Sequence, residues 1–194
     1  MALAYTNIDV ELREISLRDR PKELYDVSSK ATVPVLITLD GLVIDESLDI
    51  MLWSLKNDSN QTWLPEDHKT ELNMIGKNDI VFKKWLDRYK YHDRYPENPK
   101  EFYRDKCHDI LFDYNNQLNK KKYLSSNHLS IVDVAIFPFV RQFSHIDYQW
   151  FENNYRKLEL WFKEISSSKL FLSVMKKYDI WDNEKQGLLE DFNS

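Results

Sequence analysis

The chain has 194 residues, 42% of them hydrophobic and 30% charged, enough apolar surface for a real core without disulfides or a structural metal. Lys and Arg number 27 against 32 Asp and Glu, and this net charge of −5 argues against nucleic acid as the main partner, because phosphate binding needs a basic footprint. A single cysteine, Cys107, excludes an internal disulfide framework and a Cys-rich zinc site, and it fits a reducing cytoplasm.

The opening residues Met1 to Thr6 carry neither a basic n-region nor an apolar h-region, so no secretory signal is read there. The longest apolar run, Val134 to Val140, is broken by Pro138 and is too short to span a bilayer. A cytoplasmic location with no membrane partner is the expectation.

In chain order, residues 1–56 read as mixed α/β. The alternation around Val10, Leu12 and Ile15 predicts a half-buried strand. Pro21 to Val27 predicts a short helix with Pro21 at its first position. Val33 to Leu39 and Leu42 to Ile44 predict two strands joined at Asp40-Gly41, a strong hairpin signal between apolar runs. Leu48, Met51, Leu52 and Leu55 fall on one helical face, so Ser47 to Lys56 is an amphipathic helix.

Residues 57–66 are polar and Pro-containing and read as a linker, and from there to residue 194 no strand is expected. Helices are predicted over Leu72–Tyr91 and Lys100–Asn119, then from Ser130 towards Ile146, Tyr155–Ile165 and Leu170–Tyr178. Ser130 and Asp133 form a capping-box pattern at the head of the third. The expected organisation is thus an α/β domain (1–56), a linker (57–66) and an all-helical domain (67–194).

The residues narrow the identity further. Thr32-Val33-Pro34-Val35-Leu36, then Asp40-Gly41, then Ile44-Asp45-Glu46-Ser47-Leu48 resembles the glutathione-binding half of the glutathione transferase superfamily. The capping box before Val134-Ala135-Ile136-Phe137-Pro138 resembles that family's helix-nucleating motif, and Trp85 to Tyr91 is similar to a bacterial subgroup. The resemblance implies a thioredoxin-like N-terminal domain followed by an all-helical C-terminal domain, with glutathione as co-substrate. It implies a cis bond before Pro34, with the Val33 backbone left open to a peptide-like ligand. In the same reading Ser47 seats the γ-glutamyl carboxylate at a helix start, Glu46 faces its ammonium, and Arg20 lies near the glycyl carboxylate. Taken singly, these residues have plainer readings: an edge strand, ordinary helix capping and a solvated surface charge.

In that family the fold begins with a strand and a helix, and the catalytic Tyr, Ser or Cys sits at their junction. Here Met1 to Asp9 resembles only the last turns of that helix and its exit loop, so the first strand and the catalytic junction have no counterpart. The expectation is therefore a truncated N-terminus, with Met1 an internal methionine of a longer native chain. In the subgroup the preceding segment carries a Cys-Pro-aromatic-Ala motif. Without that strand, Val10–Ile15 and Val35–Leu39 are expected to keep unpaired edges. No catalytic residue is named.

Other constellations are bland. The five histidines show no metal-ligand spacing, and no metal is expected; His92-Asp93 and His108-Asp109 read as surface pairs. Three glycines leave no Gly-rich phosphate loop. Cys107 reads as a small core residue in a helix, and Lys120 to Lys122 as a basic helix end. Trp85, Tyr89, Tyr91, Phe102, Tyr103, Phe137 and Phe139 are expected to be chiefly core. The functional expectation is glutathione conjugation or thiol transfer by the full-length form, on a small electrophilic or disulfide substrate, with a homodimer expected from family habit. The alternative is a non-catalytic protein that uses the same fold for binding or interaction.

Overall fold

A computed structural model of the chain describes residues 1–56, 62–65, 67–182 and 185–192. Two compact units form, one from residues 1–60 with 169–194 and the other from residues 61–168.

In the first unit, α1 (Ala2–Tyr5) is followed by β1 (Val10–Leu12), α2 (Lys22–Val27), β2 (Leu36–Ile37), β3 (Val43–Ile44) and α3 (Ser47–Leu55). Pro21 stands just before α2 rather than inside it, in extended backbone that needs no amide donor. Gly41, at φ 86°, supplies the left-handed residue that the β2–β3 hairpin requires, and the Thr38 N–H donates to the Leu42 carbonyl at 2.9 Å across the turn. Both strands are shorter than the sequence predicts. α1 buries Ala2 and Ala4 and packs on α3, whose Ile50 and Leu55 face inward.

The sequence-level boundary at residue 67 places the C-terminal segment with the helices, but residues 169–194 belong to the first unit. α10 (Lys169–Ser173) packs on α1, and β4 (Leu188–Glu190) pairs antiparallel with β1, Leu12 opposite Leu188. The expectation of no strand beyond the linker is therefore corrected, and β4 pairs one edge of β1. Gly187 matters here: a Cβ at this position would lie 2.8 Å from the Leu12 carbonyl oxygen and from Glu11 Cγ. The predicted helix Leu170–Tyr178 stops at Ser173. Among the described residues, β1–β4 and β2–β3 are separate two-stranded sheets.

The second unit is helical. One continuous run comprises α4 (Lys69–Lys77), a π turn (Asn78–Phe82) and α5 (Lys83–Lys90). α6 (Lys100–Gln117), α7 (Ile131–Ser144), α8 (Tyr148–Asn154) and α9 (Arg156–Ser166) follow. The Ser130–Asp133 capping box forms as the sequence predicts. Asp133 is fully buried and accepts from the Leu124 and Ser130 N–H groups at 2.9 and 3.0 Å, the Ser130 hydroxyl at 2.7 Å and Trp161 Nε1 at 2.8 Å. It thereby ties the loop before α7 to α9. α8, unforeseen in the sequence, is capped by Asp147, whose carboxylate accepts from the Trp150 N–H at 3.0 Å.

An aromatic centre holds this unit together, with Phe143 packed on Phe82, Tyr89, Trp150 and Phe151 at ring separations of 5.3–6.3 Å. Of the seven aromatics expected in the core, Tyr89, Tyr103 and Phe137 are buried, Trp85, Tyr91 and Phe139 are half-buried, and Phe102 is exposed. Cys107 is fully buried, and burial pushes its thiol up to about 12. His108 is not paired with Asp109 as expected, because its Nδ1 lies 2.9 Å from the Tyr155 hydroxyl. Among the described residues no helix is long and apolar enough to cross a membrane. The expected linker falls partly outside the described residues, at 57–61 and 66.

Candidate functional site

The residues singled out by the sequence lie on two neighbouring pieces of the first unit. One is the loop from Ser28 to Pro34, which links α2 to β2. The other is the corner Asp45-Glu46-Ser47, where β3 passes into α3. The loop turns sharply at Ala31, which has φ 46° and is 2% exposed, and its N–H donates to the Ser28 carbonyl at 3.0 Å. The Val33–Pro34 peptide bond is cis. Val33 and Pro34 are both exposed, and among the described residues no backbone hydrogen bond engages Val33. Its main chain thus presents one donor and one acceptor to solvent.

The corner is built differently. Glu46 is the N-cap of α3 in extended backbone, and its carbonyl accepts from the Ile50 N–H at 3.0 Å. Its side chain does not cap the helix. The first-turn N–H groups of α3 therefore remain directed outward at the positive end of the helix dipole, beside the exposed Ser47. Such an end favours a carboxylate.

Two polar contacts bring loop and corner together. The Ser28 hydroxyl donates to Asp45 Oδ2 at 3.1 Å. Lys30 Nζ donates to Glu46 Oε1 at 2.5 Å and stands 3.7 Å from Asp45 Oδ1. The hydrogen bond to Glu46, reinforced by the Asp45 charge, holds the Lys30 ammonium above the ordinary lysine range. Val33, Pro34, Glu46 and Ser47 are thus carried by one locally cross-linked surface. Arg20 is exposed on the segment before α2, and no described contact ties it to the others. The sequence reading missed Lys30 and Ser28, whose signal is a lysine and a hydroxyl close before the Val33-Pro34 pair.

The surface offers an open strand-like backbone, a helix start that accepts an anion, and a carboxylate that accepts a cation. These can hold an extended zwitterionic peptide. They do not supply a thiol, because the only cysteine in the sequence lies buried in α6 of the second unit. Among the described residues no cluster of His, Cys, Asp and Glu could hold a metal ion.

Comparison with known proteins agrees with this architecture. Residues 1–62 match the glutathione S-transferase N-terminal domain family, and residues 79–170 match the glutathione S-transferase C-terminal domain family. No curated protein matches the chain. Among solved structures, the glutathione transferase URE2P6 from Phanerochaete chrysosporium, in complex with oxidized glutathione, is similar with a TM-score of 0.77 at 15% identity, over 89% of this chain and 86% of that one. BphK, a bacterial GST in a ternary complex, gives 0.74 at 16% identity, over 89% and 88%. A glutathione S-transferase from Methylobacillus flagellatus with GSH bound gives 0.70 at 19% identity, over 88% and 89%. At these identities the structural likeness speaks for the fold: a thioredoxin-like N-terminal domain with a helical C-terminal domain. With both family domains matched in order, the chain belongs to the glutathione transferase superfamily.

Proposed function

We propose that the first unit binds glutathione, extended along the Val33 main chain. The γ-glutamyl carboxylate sits at the start of α3 beside Ser47, and its ammonium faces Glu46. Arg20 is assigned to the glycyl carboxylate on the family resemblance. Turnover, in this reading, is glutathione conjugation or thiol transfer on a small electrophilic or disulfide substrate. The glutathione sulfur is then the reacting atom, and the surface described here serves to orient it. The observation that carries the reading is the pairing of an unengaged Val33 backbone at a cis Val33–Pro34 bond with an uncapped helix start at Glu46 and Ser47.

Isothermal titration with glutathione tests it. Saturable binding is expected, weakened about ten- to hundredfold by Glu46→Ala, the range for loss of one charge-assisted hydrogen bond. Ser47→Ala is expected to weaken it less. No heat of binding, or binding indifferent to both substitutions, would remove the proposal. Binding without turnover of any electrophile or disulfide would instead favour the non-catalytic alternative.

A further inference from the structure

Glu46 already has a cation. The Lys30 ammonium makes its closest contact with Glu46 Oε1 at 2.5 Å and keeps Asp45 within 3.7 Å. A lysine ammonium and the α-ammonium of a γ-glutamyl group are the same kind of donor, so one carboxylate is asked to serve both. The lysine does not reach Glu46 from a slack loop. Ala31 turns the chain beside it, and Ser28 anchors to Asp45 on the other side. We propose that Lys30 is a built-in competitor for the ligand ammonium at Glu46, and so sets how strongly the site favours a tripeptide with a free α-amino group over one without.

The inference rests on the glutathione-binding reading above and deepens it. Lys30 and Glu46 are each about half exposed, so their pair is a screened surface contact of modest strength. The ligand ammonium therefore displaces Lys30 at a cost rather than being shut out. Two ammonium groups sharing one carboxylate would repel each other across it, and the second carboxylate, Asp45, lets Lys30 retreat while remaining paired. The raised Lys30 keeps its charge across the physiological range, so the competition does not switch off near neutral pH.

The sign of the effect is diagnostic. Glutathione is a net anion, and removal of a nearby positive charge should weaken its binding on net charge alone. Competition predicts the reverse. The test is isothermal titration of the wild-type protein and Lys30→Met with two ligands, glutathione and N-glutaryl-cysteinylglycine, the same tripeptide without its α-amino group. Lys30→Met should tighten glutathione about two- to fivefold, the strength of an exposed ion pair, and leave the des-amino tripeptide unchanged or weaker. Lys22→Met, which removes an exposed charge from α2, should tighten neither.

If glutathione binds the wild type and Lys30→Met binds it equally or more weakly, the competitor role is overturned and the binding site stands. If both tripeptides tighten alike, Lys30 does not act through the ligand ammonium and the role is again overturned. If neither protein binds glutathione, the site reading itself falls and takes this inference with it.

Discussion

Asp133 offers the sharpest test of how the helical unit is held together. One of its oxygens accepts from the Leu124 N–H and Trp161 Nε1, and the other accepts from the Ser130 N–H and hydroxyl. Asp133→Ala leaves three N–H donors buried and unpaired. The Ser130 hydroxyl alone has a fallback, the Ser125 hydroxyl at 3.0 Å. At about 1–3 kcal/mol for each orphaned group, and allowing for incomplete additivity, the loss is about 3–6 kcal/mol. That is a large part of the roughly 5–15 kcal/mol that stabilises a domain. With a urea slope of about 2 kcal/mol/M, the unfolding midpoint should fall by about 1.5–3 M, read by far-UV circular dichroism. Asp133→Asn is the informative partner. Its amide can donate one hydrogen to the Ser130 hydroxyl but leaves its second hydrogen and the Ser130 N–H unmet, so it should cost about 2–4 kcal/mol, less than Asp133→Ala. A drop below about 1 kcal/mol for Asp133→Ala would refute the claim that this carboxyl joins the α7 cap to α9.

Three further outcomes are expected. Gly187→Ala should push β4 away from β1, because the new methyl meets the Leu12 carbonyl oxygen; amide hydrogen exchange at Val10–Leu12 and Leu188–Glu190 should accelerate, while α6 and α7 stay protected. Glu190 is buried and is held below the ordinary carboxylate range chiefly by the hydrogen bond from Lys176, then by Tyr178. Its contribution is present above the unfolded value and is lost as pH falls through the lowered folded value. Acid should therefore loosen β4 before the helical unit unfolds, and Glu190→Gln should remove that pH dependence, again by hydrogen exchange. Cys107, fully buried with its thiol pushed up to about 12, should give no reaction with a disulfide reagent in the native protein and one equivalent in denaturant. Prompt native reaction would contradict its placement.

Features fixed by near neighbours in the chain were the legible ones. The Asp40-Gly41 turn, the α3 helix and the Ser130–Asp133 box all lie within a few residues, and each forms, although α3 buries Ile50, Ser54 and Leu55 rather than the whole predicted face of Leu48, Met51, Leu52 and Leu55. The cis Val33–Pro34 bond stands as the family resemblance implies, and the helix start at Ser47 as the local pattern predicts. What the sequence concealed depends on distant partners. Leu188-Leu189-Glu190 has no strand signature of its own, since two of its three residues are exposed, and it becomes a strand only by meeting β1. α8 is short, and a single Asp147 cap rather than a long apolar period sets it. His108 sits beside Asp109 in sequence, yet helical geometry turns it to Tyr155. Lys30 carries no local signal for the same reason, because its partner is sixteen residues away across a hairpin. Of the proposed site, the cis Val33–Pro34 turn and the start of α3 were therefore readable, and the contact of Lys30 with Glu46 was not.

Mapping the ligand onto the amide spectrum tests the central claim most directly. On titration of the isotopically labelled protein with glutathione, the account requires saturable shifts concentrated at Val33, Glu46, Ser47 and Leu48, with the α6 and α7 amides still. A spectrum unmoved by millimolar glutathione, or shifts gathered in the helical unit instead, would contradict it.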